Sequence, residues 1–474
     1  MAIPALPTPT LTPAPAPAPA PPNQVSNGQP KADEQQKKIN FLEKIIEINI
    51  GLNLAVGGIL LFVLILVFAW RLNLINVFGP KEANKPASAP AVVVKPAAVA
   101  QDLDDKTAPA IFISKQGLDI KKAFQAKPND LRLTISGQLK KEVLGFLPYW
   151  ALAESGDINI NLLTSVSYFG LEVDGNGNII KTDAGGNIIE PWFHFQSDPK
   201  FSEFIKRVKR NRTKIYLTLK CFNQANIVRL VTDEEAINNF VNNAVYLVNS
   251  RSLDGINLDF EYIGTPDQAV TDGFSLLVIK LNKELKRENP KTKLTIDTFI
   301  DAASNTRIHD VPILAANSDG LVIMGYDFHT PDSSAPGPIA PMEGAGISVT
   351  GLMSSYLEKA PADKLILAIA YYGYDWPTTG GRADVKALTY AEIADNNKNS
   401  QINWDENAQS PWYSYKDPQE GGQVRTVYFE NPRSLGVKYD FVNQKKLQGM
   451  GIWALGMDGK RTDLLHLLSD KFSY

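Results

Sequence analysis

The chain has 474 residues, of which 44% are hydrophobic and 21% charged, with a formal net charge of −3. That length allows one large domain or two to three ordinary ones, the apolar fraction is that of a globular protein, and the near-balanced charge offers no basic surface to nucleic acid. The single cysteine, Cys221, excludes an internal disulfide without fixing the compartment, and the four histidines, His194, His309, His329 and His466, fall in no metal-ligand spacing, so neither metal nor cofactor is expected.

Residues 1–45 begin Pro/Ala/Thr-rich, including Pro13–Pro22. Proline at this density favours extended polyproline II and supplies no core, so a disordered tail is expected. Residues 46–71 read as a single transmembrane helix. Ile48–Trp70 carries no charged side chain, and about 20 apolar residues span a bilayer. Trp70 and Arg71 then suit an interfacial anchor rather than a signal-peptide cleavage site. Lys31, Lys37, Lys38 and Lys44 precede the segment, while Arg71, Lys81 and Lys85 follow it. This bias places the N-terminus in the cytoplasm and the large domain outside. Residues 72–140 are expected to be a stalk, Ala/Pro/Val/Lys-rich from Gly79 to Ala100. Within 101–140 the short apolar pieces Ala110–Ile113 and Leu131–Ile135 leave open an ordered arm on the next domain.

From residue 141 to 474 the pattern changes to strand-like runs alternating with amphipathic helical periods. The runs are Val143–Pro148, Ser165–Leu171, Lys214–Leu219, Gly255–Phe260, Lys293–Thr298, Gly320–Tyr326, Lys364–Ala370 and Gly451–Leu455. Phe201, Phe204, Ile205 and Val208 show the intervening helical spacing, with Asp198-Pro199 as cap and first position. Alternation of this kind implies a parallel sheet. Eight strands over roughly 330 residues predict an α/β fold, a (β/α)₈ TIM barrel, with a doubly wound sheet as the alternative. Turn signals in Leu171–Ile189 predict a hairpin insertion. A second hairpin, Trp412–Tyr415 with Arg425–Phe429 turning near Glu420–Gly422, is predicted in a small insertion before the eighth strand.

The fourth run, Gly255-Ile256-Asn257-Leu258-Asp259-Phe260-Glu261, concentrates the chemistry. Side chains alternate along a strand, so Asn257, Asp259 and Glu261 share one face and Ile256, Leu258 and Phe260 the other. Barrel strands are ordinarily apolar on both faces, and unpartnered buried carboxylates are costly. The polar groups crowd toward the C-terminal strand end, where barrel active sites lie. The basic residues of the neighbouring strand runs, Lys214 and Lys293, stand at the strand starts, away from these groups, so an ion-pair network does not account for them.

Asp254-Gly255-x-x-x-Asp259-x-Glu261 resembles the signature of glycoside hydrolase family 18, the chitinase-like barrels; chance would produce such a match in roughly one chain in a hundred. Met324-Gly325-Tyr326-Asp327 resembles the family's M-x-Y-D on the sixth strand, Trp453 its eighth-strand tryptophan, and Gly145–Trp150 its first strand. The resemblance covers about residues 141–474. Two departures stand out. Asn257 replaces the commoner aspartate, and Thr218-Leu219-Lys220-Cys221 stands where S-x-G-G is usual. With Tyr372–Trp376 and Tyr428–Asn431, these features are closer to the bacterial cell-wall and spore-cortex-lytic branch.

The resemblance implies hydrolysis of a glycan containing N-acetylglucosamine, chitin-like or peptidoglycan, with the substrate's own acetamide as nucleophile. Glu261 would then be the acid, Asp259 would orient the acetamide and stay ionised with Asn257 donating to it, and Tyr326 would bond the acetamide oxygen. Asp327 and Met324 would contact the sugar and Trp453 would floor the site, while Tyr149, Trp150, Tyr374, Trp376, Trp404 and Trp412 are available to outer subsites. The competing readings are a chitinase-like lectin, which the retained Glu261, Asp259 and Tyr326 argue against, and a structural membrane protein, which leaves the polar face unexplained.

Overall fold

The computed structural model describes residues 118–129, 138–344, 347–378, 384–396, 400–418 and 421–473. The expected tail, the membrane segment 48–70 and most of the stalk lie outside the described residues. Among those described, no helix is long and apolar enough to cross a membrane.

Eight parallel strands close a barrel in chain order, the last pairing with the first. In chain order they are β1 (Glu142–Pro148), β2 (Ser165–Glu172), β3 (Lys214–Cys221), β4 (Gly255–Phe260), β5 (Lys293–Phe299), β6 (Gly320–Met324), β7 (Leu365–Ala370) and β13 (Gly449–Trp453). Consecutive strands are neighbours because each is followed by helix that returns the chain along the outside. Those helices form where capping and periodicity agree. The helix Pro199–Arg210 has the Asp198 side chain accepting from Lys200 N, proline at its first position, basic residues in its last turn, and buries Phe201, Phe204, Ile205 and Val208. The outward side chain Phe260 packs edge-on against Phe240 at 5.9 Å and against Phe274 at 5.5 Å, each on an outer helix. Burying such a ring contributes roughly 2–3 kcal/mol.

Several boundaries differ from expectation. β3 runs two residues past Leu219 and takes in Lys220, β6 stops at Met324, and the last barrel strand starts at Gly449. The segment 171–189 is not one hairpin but two tight loops closed by the isolated bridges Val173–Ile179 and Thr182–Ile188. In each, an aspartate carboxylate gathers the turn: Asp174 accepts from the N–H of Asn176 and Asn178, and Asp183 from those of Gly185 and Asn187. These local bonds outcompete a longer ladder.

The insertion before the last barrel strand is larger than predicted. The strands β8 (Tyr372–Pro377), β9 (Lys386–Thr389), β10 (Asn403–Asp405), β11 (Ser410–Asp417) and β12 (Gln423–Phe429) form an antiparallel sheet ordered β10-β11-β12-β8-β9. The expected hairpin, β11 with β12, pairs Trp412 with Tyr428 and Tyr415 with Arg425 at its centre.

The expected stalk also ends sooner than residue 140. A short helix, Ile120–Gln125, buries Ile120 and Ala123, and Asn129 accepts from Thr462 N at 2.8 Å. Gly459 adopts a left-handed φ of 56°, and a Cβ there would meet Ala123 O at 2.1 Å, so only glycine admits this approach. Residues 118–129 are thus part of the barrel domain.

Candidate active site

β4 lies between β3 and β5 and carries Asn257 and Asp259 inward, with Glu261 directly beyond its end, where the Glu261 N–H donates to Cys221 O at 3.1 Å. The three side chains are 0%, 3% and 1% exposed. Neither carboxylate oxygen of Glu261, nor Oδ1 of Asp259 or of Asn257, finds a hydrogen-bond partner among the described residues. That is an unfavourable way to bury polar groups unless something else uses them.

Asn257 does not hold Asp259. Its amide donates to Asp297 Oδ1 at 2.8 Å and to Thr295 Oγ1 at 3.2 Å, both on β5. The reason is register: Asn257 stands opposite Thr295 on the adjacent strand, and Asp297 is two residues further on the same face. Asp297 is therefore a third inward carboxylate, 5% exposed.

Electrostatics follow from this crowding. Burial pushes the Glu261 carboxyl well above its usual range, and the negative charges of Asp259, Asp297 and Asp327 push the same way, opposed by Lys220. Burial raises Asp259 to about 7, again opposed by Lys220, so it titrates near neutrality instead of staying ionised throughout. Asp297 is raised well above its usual range by burial and by Asp259, against the Asn257 hydrogen bond. The protons of such a cluster come off in successive steps that belong to the set rather than to single residues, and the most strongly raised group keeps its proton longest.

The segment after β6 supplies the opposite wall. Gly325 lets the chain pass β7, since a Cβ there would meet Ala368 O at 2.9 Å. Asp327 has a left-handed φ of 59°, a conformation aspartate tolerates better than most residues but that still costs about 1–3 kcal/mol. Two phenols hold it there: Tyr372 and Tyr374 donate to Asp327 Oδ1 at 2.5 and 3.0 Å. Burial raises Asp327 to about 6 against these two bonds. Tyr374 is fully buried and supports Asp327 from behind. Trp376 is buried as well.

Trp453 ends the last barrel strand. It packs edge-on against Phe169 at 4.6 Å and Phe146 at 5.7 Å. With Asp259, Asp297, Met324 and Tyr326 it encloses the base of the mouth. Tyr149 is farther out, linked to Trp453 only through Trp150 and Phe169. Above the base, a cavity of about 260 Å³ is lined by Glu261, Phe299, Arg307, Met324, Tyr326 and Asp327. It shares Ile300, Asp301, Tyr326 and Asp327 with a recess of about 580 Å³ that reaches His329, Glu343 and Asp405. The mouth thus brings together Glu261, Asp259, Asn257, Tyr326, Asp327, Met324 and Trp453. It leaves Tyr149 at the rim, Trp404 under Arg433 and Trp412 stacked on Tyr428.

Sequence reasoning missed Asp297, Lys220 and Tyr372. For Asp297 a signal existed, because Thr295 and Asp297 repeat the polar alternation of β4 on the next strand.

The family model "Glycosyl hydrolases family 18" matches residues 142–458. The "Cortical fragment-lytic enzyme" of Bacillus subtilis (strain 168) is 27% identical over 254 residues, covering 52% of this chain and 56% of that protein. The "Di-N-acetylchitobiase" of Rattus norvegicus is 26% identical over 234 residues, covering 44% and 62%. The chain therefore spans under two thirds of the length of either relative. Among solved structures, a GH18 chitinase from Cycas revoluta in complex with (GlcNAc)3 superposes with a TM-score of 0.60 at 22% identity, over 70% of this chain and 99% of that one. The spore cortex-lytic enzyme SleL of Bacillus megaterium QM B1551 gives 0.58 at 19% identity, over 78% and 86%. At these identities the likeness to solved structures speaks for the barrel fold alone, while the family match extends over most of the described domain: the chain belongs to glycosyl hydrolases family 18.

Proposed function

We propose that the barrel is a glycoside hydrolase that cleaves β-1,4 bonds of an N-acetylglucosamine-containing glycan, chitin-like or peptidoglycan, by retaining, substrate-assisted catalysis. The observation that carries this reading is Glu261: a buried carboxyl at the barrel mouth, raised well above its usual range and open to the cavity. Such a group holds its proton at neutral pH and can give it to a glycosidic oxygen. As that bond breaks, the acetamide oxygen of the same substrate bonds to the anomeric carbon, and the leaving sugar departs with the proton. Asp259, ionised, faces the acetamide N–H and offsets the positive charge of the oxazolinium. Tyr326 bonds the acetamide oxygen, Asp327 and Met324 border the sugar, and Trp453 lies beneath it. Glu261, now a carboxylate, then takes a proton from water as the water oxygen attacks the anomeric carbon and the acetamide oxygen leaves it, which restores the acid and the acetamide and retains the configuration. Holding an internal nucleophile in near-attack geometry supplies much of the rate.

Two relatives, a cortical fragment-lytic enzyme and a di-N-acetylchitobiase by name, support both substrate classes. Digesting purified peptidoglycan and chitin oligomers in parallel with the full chain, and sizing the products by mass spectrometry, tests the reading. New N-acetylglucosamine reducing ends are expected. Binding without cleavage would return the chain to the lectin class. Residues 48–70 hold this domain to a lipid bilayer with the N-terminus cytoplasmic, a reading supported by the uncharged run and the lysines before it. Protease added to intact cells should release a soluble barrel; a protected barrel would reverse the orientation and remove an external glycan as substrate.

A further inference from the structure

Lys220 ends up in an unusual place. It is the penultimate residue of β3 and stands in register with Asp259 on β4, so both side chains leave neighbouring strands on the same inward face, about 4.8 Å apart at the backbone. Lys220 is 8% exposed. Its ammonium lies 5.6 Å from the ring centre of Phe169 and 4.8 Å from that of Phe222. Among the described residues its ion-pair partner is Glu172 on β2, whose Oε2 is 3.9 Å away on a side chain that is 40% exposed. That is too long for a hydrogen bond, and a half-exposed ion pair of this kind contributes little against the cost of burying an ammonium group. Glu172 alone does not explain a lysine here.

We propose that Lys220 is a positioning residue for the reaction proposed above: it settles the mouth's negative charge on Asp259 and so leaves the proton on Glu261. The charged groups around Asp259 are Lys220 from β3, Asp297 from β5 and Glu261 beyond its own strand. Glu261 faces Asp259, Asp297 and Asp327, with Arg307 nearby already paired to Asp301 at 2.6 Å. Three buried carboxylates without a cation would all favour the neutral form. A cation beside one of them breaks that equivalence. Asp297 is one strand farther from Lys220 and is bonded by Asn257, so of these three the first proton to leave comes from Asp259. Its charge then opposes ionisation of Glu261. The division of labour that substrate-assisted cleavage needs, one fixed charge and one transferable proton, is set by a residue that touches neither the leaving oxygen nor the acetamide.

The test is kcat/KM against pH for the full chain acting on an N-acetylglucosamine tetramer, with Lys220→Met, Lys220→Arg and Glu172→Gln. Lys220→Met keeps length and removes charge; its acid limb should move to higher pH by about one unit, a tenfold loss below the limb, with the plateau little changed. Lys220→Arg should restore the limb. Glu172→Gln removes the competing anion from an exposed position that folding tolerates, and should move the limb the other way. A uniform loss in Lys220→Met with an unmoved limb, or an unmoved limb in Glu172→Gln, overturns the proposal. Carboxyl-carbon NMR of Asp259, assigned with Asp259→Asn, reads the same shift without turnover. If the wild type cleaves nothing, the hydrolase reading fails, while an upward Asp259 midpoint in Lys220→Met still supports the role of Lys220 and an unchanged midpoint still refutes it.

Discussion

The insertion sheet and the barrel mouth both bury charge, and they treat it in opposite ways. In the sheet, Arg425 and Asp375 are 0% and 2% exposed and meet at 3.0 Å, and Tyr415 donates to the other Asp375 oxygen at 2.7 Å. Beside the sheet, Lys438 and Glu430, also fully buried, meet at 2.9 Å. Burial pushes both of these carboxylates up, but each has a cation and hydrogen bonds directly opposing it. In the mouth, Asp259, Glu261 and Asp297 are equally buried and repel one another, with Lys220 as the counter-charge acting on the first two. Burial by itself therefore marks nothing. What separates a structural ion pair from a reactive site is whether the local structure completes the group's electrostatics or leaves that to a substrate.

That contrast can be broken by mutation. The largest effect expected is in Glu261→Gln: turnover of an N-acetylglucosamine oligomer should fall by about two to four orders of magnitude, while the urea unfolding midpoint stays level or rises, because an unpartnered buried acid has been removed. A marked loss of stability would mean that Glu261 is a structural partner after all. Arg425→Met should do the reverse. It strands Asp375 in the sheet and should cost about 3–5 kcal/mol of unfolding free energy, with turnover per folded molecule largely kept; adding Asp375→Leu should recover much of the loss. A mild single mutant would erase the difference between the two regions.

The smallest effect concerns pH. Asp259 has a folded value of about 7, above its unfolded value near 4. Between these the folded state binds more protons than the unfolded one, so this group's contribution is fully present below the unfolded value and is lost as pH rises through about 7. Asp319 has the opposite sign: burial would raise it, but Lys286, Lys293 and the Leu294 N–H together hold it below its usual range. Its contribution is present above the unfolded value and disappears in acid. Replacing Asp259 by Asn should flatten the decline in stability between about pH 4 and 7 by roughly 2–4 kcal/mol at most, as measured by urea unfolding at a series of pH values. An unchanged slope would show that Asp259 is not buried as a carboxyl with a raised value.

Most of the barrel was legible because period-two alternation and helical periodicity are properties of single segments. The polar face of β4 could be assigned from Asn257, Asp259 and Glu261 without knowing any neighbour. What escaped depends on relations between segments. Asn257 was expected to donate to Asp259 because the two are close in sequence, but the register against β5 delivers it to Asp297. Lys220 was excluded because the apolar run ends at Leu219, and strand length is set by pairing with β4 as much as by hydrophobicity. Tyr374 looked like an exposed ligand contact because aromatic alternation is the same whether a sheet face is open or covered. Only the pairing of β8 with β12 puts it behind Asp327.

The short helix Ile120–Gln125 bears on how force enters this molecule. Its Ile120 and Phe124 approach Gly456, and Asn129 binds Thr462; these partners lie in the loop after the last barrel strand, at the same end as Glu261. At the other end, Leu139 pairs with Ser473 and Lys140 N donates to Phe472 O before β1 begins. A pull applied through the residues ahead of 118 is therefore felt first at the rim of the mouth and only afterwards at the base. Tension would strip this strap from the loop behind Trp453 before it disturbed a single barrel strand.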